Sequence, residues 1–271
     1  MGIVNITPDS FSQDGLVKGS RNFTQAAITQ ALRMIQQGAD MIDIGGESTR
    51  PGSLRISSSA EQARIIPAIR YLAKKIRIPI SADTYKADTA KKALDAGAAI
   101  INTIKGATPS KALLKAIHRY DAGIVLMHMR GTPRIMQKNI YYLDILNEII
   151  DSLQKSIEIC LETGIKSDKI IIDPGFGFGK TFEQNLLILN RLSNFARLRV
   201  PILIGTSRKS FIGGVLQKDT PQRLMGTAAT ITAGIMNGAH IVRVHDVRQI
   251  RDTVLVTDAI INSVRNAKDT A

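Results

Sequence analysis

Eight short apolar runs rich in β-branched residues alternate along the chain with segments of helical periodicity. The runs cover residues 2–6, 40–45, 78–83, 99–103, 123–128, 169–173, 200–205 and 240–245. Strands that alternate with amphipathic helices indicate a parallel sheet, and eight such units in 271 residues favour a closed barrel over an open doubly wound sheet. Because no Pro/Ser-rich linker interrupts the pattern, we expect one α/β domain, a (β/α)8 TIM barrel over residues 1–271.

A polar or turn-forming residue stands at or just after the end of every run. The carboxyl ends of barrel strands meet on one face, which is where such enzymes bind their substrates. Asp83 and Asp173 follow apolar residues, and a carboxylate buried there loses its hydration unless a partner replaces it. Arg243 and His245 stand two residues apart on the last run, so their side chains should point to the same side and suit a phosphate group. The sequence therefore predicts a polar ligand site at this face.

Charge and composition set several classes of partner aside. The formal net charge is +13, but the basic residues are dispersed and the chain has no Trp for base stacking, so we expect no nucleic-acid partner. We find no signal peptide and no apolar run long enough to span a membrane, and we expect a cytoplasmic protein without a membrane partner. The single cysteine, Cys160, lies in an apolar helical pattern and is expected to be a buried thiol.

Residues 170–181, IIIDPGFGFGKT, invite comparison with a phosphate-binding P-loop. A P-loop needs a glycine five residues before its Gly-Lys-Thr triplet, and that position holds Pro174, whose fixed φ and missing N–H spoil the backbone cradle. The segment therefore disfavours a nucleotide hydrolase. We interpret Lys180 as a surface residue at the start of the following helix.

Nine motifs make the chain resemble the dihydropteroate synthase family, folate-pathway enzymes that sulfonamides target. They are MGIVNITPDSFS, DIGGESTRPGS, SADTYKA, GAAIIN, VLMHMRGTP, DPGFGFGKT, PILIGTSRKSFIG, RLMGTAA and RVHDV. The resemblance implies a TIM barrel and a transferase that condenses 6-hydroxymethyl-7,8-dihydropterin diphosphate with p-aminobenzoate. Diphosphate then leaves with Mg²⁺ bound. It also implies a homodimer, formed through helices near the C-terminal end.

Roles for individual residues follow from the same resemblance. Asp83, Asn102 and Asp173 are expected to bind the pterin, with Lys209 at its ring face and Met127 lining it. Arg243 and His245 are expected to bind the diphosphate, and the amide oxygen of Asn5 to be a ligand of Mg²⁺. The residues expected near the benzoate or the diphosphate are Phe11, Thr49, Arg50, Pro51, Gly177, Phe178 and Ser210. The set expected to act in catalysis is Asp83, Asp173, Lys209, Arg243 and His245.

Four positions depart from the family pattern: Gln13 and Asp14 in the first loop, Thr103 in place of a carboxylate, and Lys105 in place of a small or polar residue. They leave two alternatives open, a catalytically weak pterin-binding paralogue and a non-catalytic protein that binds pterins or anions. A pterin-dependent methyltransferase is a third alternative, but it should lack the SRKSF and TPDSFS segments that this chain contains. His128 has no Cys or second His nearby in sequence, so zinc is not expected.

Overall fold

The computed structural model describes residues 1–7, 23–49, 52–106, 108–133 and 135–268, with side chains described as far as residue 263. Each of the eight predicted runs contains a strand. The strands are Gly2–Asn5 (β1), Ile42–Gly45 (β2), Ile80–Asp83 (β3), Ile100–Thr103 (β4), Gly123–Met127 (β5), Ile170–Asp173 (β6), Leu203–Ile204 (β7) and Ile241–Val242 (β8).

Helices follow the strands in alternation, as the periodicity predicts. Within the described residues they are Phe23–Gln36 (α1), Ser58–Ala73 (α2), Ala87–Asp95 (α3), Lys111–Arg119 (α4), Ile145–Glu162 (α5), Phe182–Asn190 (α6), Ser210–Leu216 (α7), Leu224–Met236 (α8) and Val247–Lys268 (α9). Two helices, α7 and α8, lie between β7 and β8. None of these helices is both long and apolar enough to cross a membrane.

The eight strands close into a barrel. Strands β1 to β6 pair in chain order and in parallel, and β7 pairs with β8. A parallel bridge between Ile172 and Ile202 joins β6 to the segment that enters β7, and a bridge between Gly2 and Val244 joins the segment after β8 to β1. The bond from Ile3 N–H to the Val244 carbonyl, at 3.0 Å, completes the circuit. The TIM-barrel prediction is confirmed.

Apolar side chains fill both the shell of the barrel and its floor. The larger cluster lies between the strands and the surrounding helices and includes the fully buried Ile42, Ile101 and Ile124. A separate small cluster, formed by Met1, Ile100, Val125 and Leu203, lies among the strands. Each fully buried side chain of this size contributes roughly 1.5–3 kcal/mol. Cys160 belongs to the larger cluster as a buried free thiol, as predicted.

Local signals in the sequence explain where the helix near the glycine-rich segment begins. The Thr181 side chain accepts a bond from Gln184 N–H, and the Gln184 side chain accepts one from Thr181 N–H, which together form a capping box. The box fixes the start of α6 directly after residues 174–180. The loop that precedes it is therefore held at both ends, by β6 and by α6.

Candidate active site

The register of the sheet brings the ends of the first four strands to one level. Asn5 pairs with Gly45, Gly45 with Asp83, and Asp83 with Asn102. A Cβ atom at Gly45 would lie 3.3 Å from Asp83 Cβ and 3.6 Å from Asn5 Oδ1. The missing side chain therefore leaves room between Asn5 and Asp83 at the mouth of the barrel.

Arg243 joins carboxylates from two neighbouring strands. Its Nε donates to Asp43 Oδ2 at 2.7 Å, and its Nη2 donates to Asp83 Oδ2 at 3.1 Å. Asn102 Nδ2 donates to the same Asp43 oxygen at 3.1 Å. Burial, followed by the neighbouring Asp43 charge, raises the pKa of Asp83 to about 7. Asp43 is fully buried, and its Oδ1 has no hydrogen-bond partner among the described residues.

Arg243 and His245 were predicted to lie on the last strand, and this is wrong. Their side chains were also predicted to point to the same side, and both do face one cavity. Strand β8 ends at Val242, because its pairing with β7 covers only two positions. The chain stays close to β1 beyond that point through the bridge at Val244. Arg243 and His245 therefore flank a bridged residue, and both line the cavity described below.

His245 is a neutral side chain held by Ser207. Its Nδ1 lies 3.1 Å from Ser207 Oγ, and its backbone N–H donates to the same oxygen at 3.2 Å. Burial, together with the charges of Arg243 and Arg208, lowers the pKa of His245 to about 3. The imidazole is thus uncharged at neutral pH beside two arginines.

Asp173 closes the site from the other side of the barrel. Its Oδ1 accepts a 2.7 Å bond from Gly175 N–H, and burial raises its pKa. Gly175 has a φ of +74°, and a Cβ there would lie 1.9 Å from the His128 carbonyl oxygen. Only glycine fits this turn, which explains the first of the alternate glycines in the segment that resembles a P-loop.

Lys180 was predicted to be a surface residue, and the structure contradicts this. Its side chain is buried, and Nζ lies 3.0 Å from the carbonyl oxygens of Gly175 and Phe178. Nζ is also 3.1 Å from His128 Nδ1 and 3.4 Å from the His128 carbonyl oxygen. Burial lowers the pKa of Lys180 to about 7 and that of His128 to about 2. The glycine turn folds around the lysine and removes it from solvent.

Lys209 precedes α7 and points its amino group at the same turn. Its Nζ lies 4.3 Å from the ring centroid of Phe178. Burial, with Arg243 as the next cause, lowers the pKa of Lys209 to about 8. Ser210 is the first residue of α7, as the sequence predicts.

A cavity of about 500 Å³ at the carboxyl ends of the strands collects most of the predicted site. The predicted residues that line it are Asn5, Thr49, Asp83, Gly177, Phe178, Lys209, Ser210, Arg243 and His245. Asn102 and Asp173 are buried and are tied to the lining through Asp43 and Gly175. Met127 packs in an apolar cluster with Phe178. Phe11, Arg50 and Pro51 lie outside the described residues, as do Gln13 and Asp14.

Comparison with known proteins identifies the family of this chain. A profile of pterin-binding enzymes matches residues 1–245. The dihydropteroate synthase of Bacillus subtilis is 45% identical over 262 residues, which cover 97% of this chain and 88% of that protein. This chain belongs to the dihydropteroate synthase family.

Solved structures of dihydropteroate synthases share the fold closely. The Clostridium difficile enzyme, crystallised in the presence of pteroic acid, has a TM-score of 0.89 and 46% identity, over 96% of this chain and 95% of that one. The Yersinia pestis enzyme in complex with a sulfonamide drug has a TM-score of 0.91 and 39% identity, over 97% of this chain and 94% of that one. The fold of this chain is therefore that of the family.

The donors at the cavity suit a weakly held magnesium ion. Among the described residues, no group of three or more His, Cys, Asp or Glu side chains could hold a metal. Asn5 offers a single amide oxygen in the cavity lining. Mg²⁺ usually keeps several waters and takes one or two protein ligands together with substrate phosphate oxygens. One amide beside a diphosphate-sized cavity fits that donor set, without a cage made of protein side chains.

Asp43 and Ser207 were among the polar residues expected at the strand ends, but no role was predicted for either, and Arg208 was not predicted at all. Arg208 donates to both carboxylate oxygens of Asp246, at 2.9 and 2.6 Å. Asp43 carried a usable signal, because it stands two residues before Gly45 on β2 and so shares its side of the strand. Ser207 follows the seventh strand run, but its contact with His245, like that of Arg208 with Asp246, spans 38 positions and left no signal in the sequence.

The Thr103 departure from the family pattern is accommodated inside the barrel. Thr103 is fully buried, and its Oγ1 accepts a 3.2 Å bond from Lys105 N–H. The Lys105 amino group lies 4.5 Å above the Tyr85 ring. Two of the four departures thus have local partners of their own.

Proposed function

We propose that this chain condenses 6-hydroxymethyl-7,8-dihydropterin diphosphate with p-aminobenzoate to form 7,8-dihydropteroate and diphosphate. One observation carries the proposal. A single cavity at the open end of a dihydropteroate synthase barrel is lined by the Asp83 carboxylate, the Asn5 amide and four cationic side chains, and the buried Asp43 and Asn102 are bonded to this lining. Pteroic acid, present with the related Clostridium difficile enzyme, contains both a pterin and a p-aminobenzoate unit.

The carboxylates and the amide are suited to the pterin. Its aminopyrimidinone edge presents N–H groups, and the carboxylates of Asp83 and Asp173 can accept hydrogen bonds from them. The Asn102 amide can both donate and accept hydrogen bonds at the same edge. Asp173 has one oxygen fixed by Gly175 N–H, which orients the other. Lys209 and the Phe178 ring lie beside each other at the lining, where they suit the face of a flat heterocycle. In this assignment the pterin enters with its edge toward β3, β4 and β6.

The Arg243 cation and the neutral His245 suit the leaving diphosphate. Arg243 uses Nε and Nη2 for Asp43 and Asp83, and keeps further N–H groups of its guanidinium for phosphate oxygens. Ser207 Oγ accepts the backbone N–H of His245 and can donate its own proton to the ring Nδ1; in that tautomer Nε2 carries the imidazole proton and would donate to the diphosphate. Such donors stabilise negative charge as the C–O bond breaks. The amide oxygen of Asn5 would hold Mg²⁺, and the ion would neutralise further negative charge on the diphosphate.

Positioning, not base catalysis, carries the second half of the reaction. The aromatic amine of p-aminobenzoate is neutral at physiological pH, so its attack on the pterin methylene needs alignment and no strong base. Asp83 and Asp173 also favour the positive charge that develops on the pterin as diphosphate leaves. Thr49 and Ser210 line the cavity where the benzoate is expected.

Release of diphosphate tests the proposal. Mixing the protein with both substrates and Mg²⁺ should release one diphosphate per dihydropteroate formed, and the rate should fall when either substrate is left out. A sulfonamide should raise the KM for p-aminobenzoate without lowering kcat. Pterin binding without turnover would instead support the catalytically weak paralogue, and sulfonamide inhibition that does not compete with p-aminobenzoate would contradict the assignment of the benzoate site.

We also propose a homodimer that uses the outer face of α8 and α9. Helix α8, LMGTAATITAGIM, contains no charged residue, yet only Thr227, Ile231 and Gly234 are buried. Met225 and Met236 lie three turns apart on its exposed side, and the neighbouring helix α9 also exposes Val256 and Ile260. An apolar face of this kind on a barrel marks a contact with another protein surface. The cytoplasmic location and the absence of a nucleic-acid partner stay predictions.

A further inference from the structure

Lys180 is the one lysine of the described chain whose side chain is almost completely withdrawn from water. Four acceptor atoms surround its Nζ within 3.4 Å: three backbone carbonyl oxygens and an imidazole nitrogen. None of them is a carboxylate. A buried cation without a carboxylate in hydrogen-bond contact is costly, so the fold keeps this lysine at the expense of stability.

The carbonyls that Lys180 binds lie in or beside the glycine turn on the pterin side of the site. Gly175 and Phe178 lie on the turn itself, and His128 follows β5. The same Gly175 donates its N–H to Asp173, and His128 N–H donates to the Asp173 carbonyl oxygen at 2.9 Å. Two of the residues whose carbonyls bind Lys180, Gly175 and His128, are thus bonded directly to Asp173. The third, Phe178, carries the ring that Lys209 contacts.

We propose that Lys180 is a positioning residue of the pterin site: its amino group draws the carbonyls of Gly175, Phe178 and His128 together and so sets the orientation of the Asp173 carboxylate and the Phe178 ring. Lys180 does not line the cavity, so it is not placed to touch a substrate there. It acts through the glycine turn, which three further contacts hold from outside. These are Tyr142 Oη on the Gly179 carbonyl, Gln137 Nε2 on the Gly177 carbonyl, and Asn185 Oδ1 on Gly177 N–H.

The inference rests on the proposed function, and the experiment separates the two. We would measure the affinity for 6-hydroxymethyl-7,8-dihydropterin diphosphate by calorimetry without p-aminobenzoate, so that turnover plays no part. Amide hydrogen exchange of residues 174–179 is read in parallel without any ligand. If the wild-type protein binds the pterin diphosphate but releases no diphosphate with both substrates, the proposed function fails and the Lys180 inference is still tested.

Lys180→Met keeps the length and apolar body of the side chain and removes every donor. We expect its affinity for the pterin diphosphate to fall at least about tenfold, with faster exchange confined to residues 174–179. Lys180→Gln retains two N–H donors and should lose less affinity than Lys180→Met. Lys169→Met is the matched control, because it makes the same change at a lysine that pairs with Asp121 at 3.0 Å outside the cavity lining, and its affinity should stay within about threefold of wild type.

Three results would overturn the inference. One is a Lys180→Met protein with wild-type affinity. Another is lost affinity with unchanged hydrogen exchange at residues 174–179, because the effect would then not pass through the turn. The third is failure of both Lys180→Met and Lys180→Gln to fold, which would make Lys180 a residue of the general fold and not of the pterin site.

Discussion

Among single residues, Arg243 lies between the carboxylates of Asp43 and Asp83, and this arrangement makes pterin binding depend on the charge of Asp83. The guanidinium binds Asp43 and Asp83 together, but Asp43 is fully buried whereas Asp83 is partly open to the cavity. Burial and the Asp43 charge hold the pKa of Asp83 at about 7. Asp83 is therefore a carboxylate whose charge changes near neutral pH. Asp43 keeps Arg243 in place while Asp83 meets the ligand.

Pterin affinity should consequently weaken on acidification. A protonated Asp83 accepts fewer bonds from the pterin edge, so the dissociation constant should rise below pH 7, by up to about tenfold per pH unit. Calorimetry with 6-hydroxymethylpterin, which has no phosphate to titrate, measures the trend between pH 6 and pH 8.5. Asp83→Asn should bind more weakly and lose this pH dependence. An equal slope in both proteins would assign the titration to another group.

At the scale of elements, one ion pair holds together the loops that follow β7 and β8. Arg208 precedes Lys209, and Asp246 follows His245. Arg208 has a φ of +58°, an uncommon conformation for a residue other than glycine. Its backbone is fixed on both sides, because its N–H donates to Thr227 Oγ1 at 3.1 Å and its carbonyl accepts from Arg223 at 3.2 Å. The pair therefore sets Lys209 and His245 relative to each other.

Asp246→Ala should harm catalysis more than stability. The pair is partly exposed, so its loss should cost only about 1 kcal/mol of unfolding free energy. Misplacing Lys209 and His245 should lower kcat/KM for the pterin diphosphate at least about tenfold. Asp40→Ala is the control, since it breaks the exposed Arg251 pair at 3.0 Å far from the cavity lining. Steady-state kinetics and urea unfolding give both values, and equal kinetics in the two variants would refute the coupling.

The order of elements could be predicted, but the buried polar contacts could not. Runs of β-branched residues indicate strands whatever their distant neighbours are, so all eight strands were predicted. β7 and β8 were predicted too long, because the pairing between strands decides where each one ends. The sequence Gly179-Lys180-Thr181 before α6 indicates a solvent-exposed helix start. Nothing in that sequence shows that four hydrogen-bond acceptors converge on the Lys180 amino group. The phosphate role of Arg243 was predicted, but its bonds to Asp43 and Asp83 were not, because they join residues that are 200 and 160 positions apart in sequence.

At the scale of the whole molecule, the outer face of α8 and α9 should determine assembly. The two helices pack side by side and share a bond between Thr257 and Thr232 at 3.4 Å, so their exposed faces form one surface. Met225 is 77% exposed and Val256 is 61% exposed. A glutamate in an apolar interface costs about 2 kcal/mol or more, so Met225→Glu with Val256→Glu should yield monomers. Sedimentation equilibrium measures the change, and Leu161→Glu on α5 is the control.

Lys180 also makes the stability of the whole barrel depend on pH. Burial lowers its pKa from 10.5 to about 7, so between these values the unfolded chain binds one proton more than the folded protein. The cost of burying the charged lysine is complete below pH 7 and is relieved as pH rises, by up to about 1.4 kcal/mol per pH unit. Lys180→Met has no such proton. The unfolding free energy of wild type relative to Lys180→Met should therefore rise by about 2 kcal/mol between pH 7 and pH 9 in urea titrations. Taking the difference cancels every group that titrates alike in both proteins, and a difference that does not change with pH would show that Lys180 keeps its ordinary pKa in the fold.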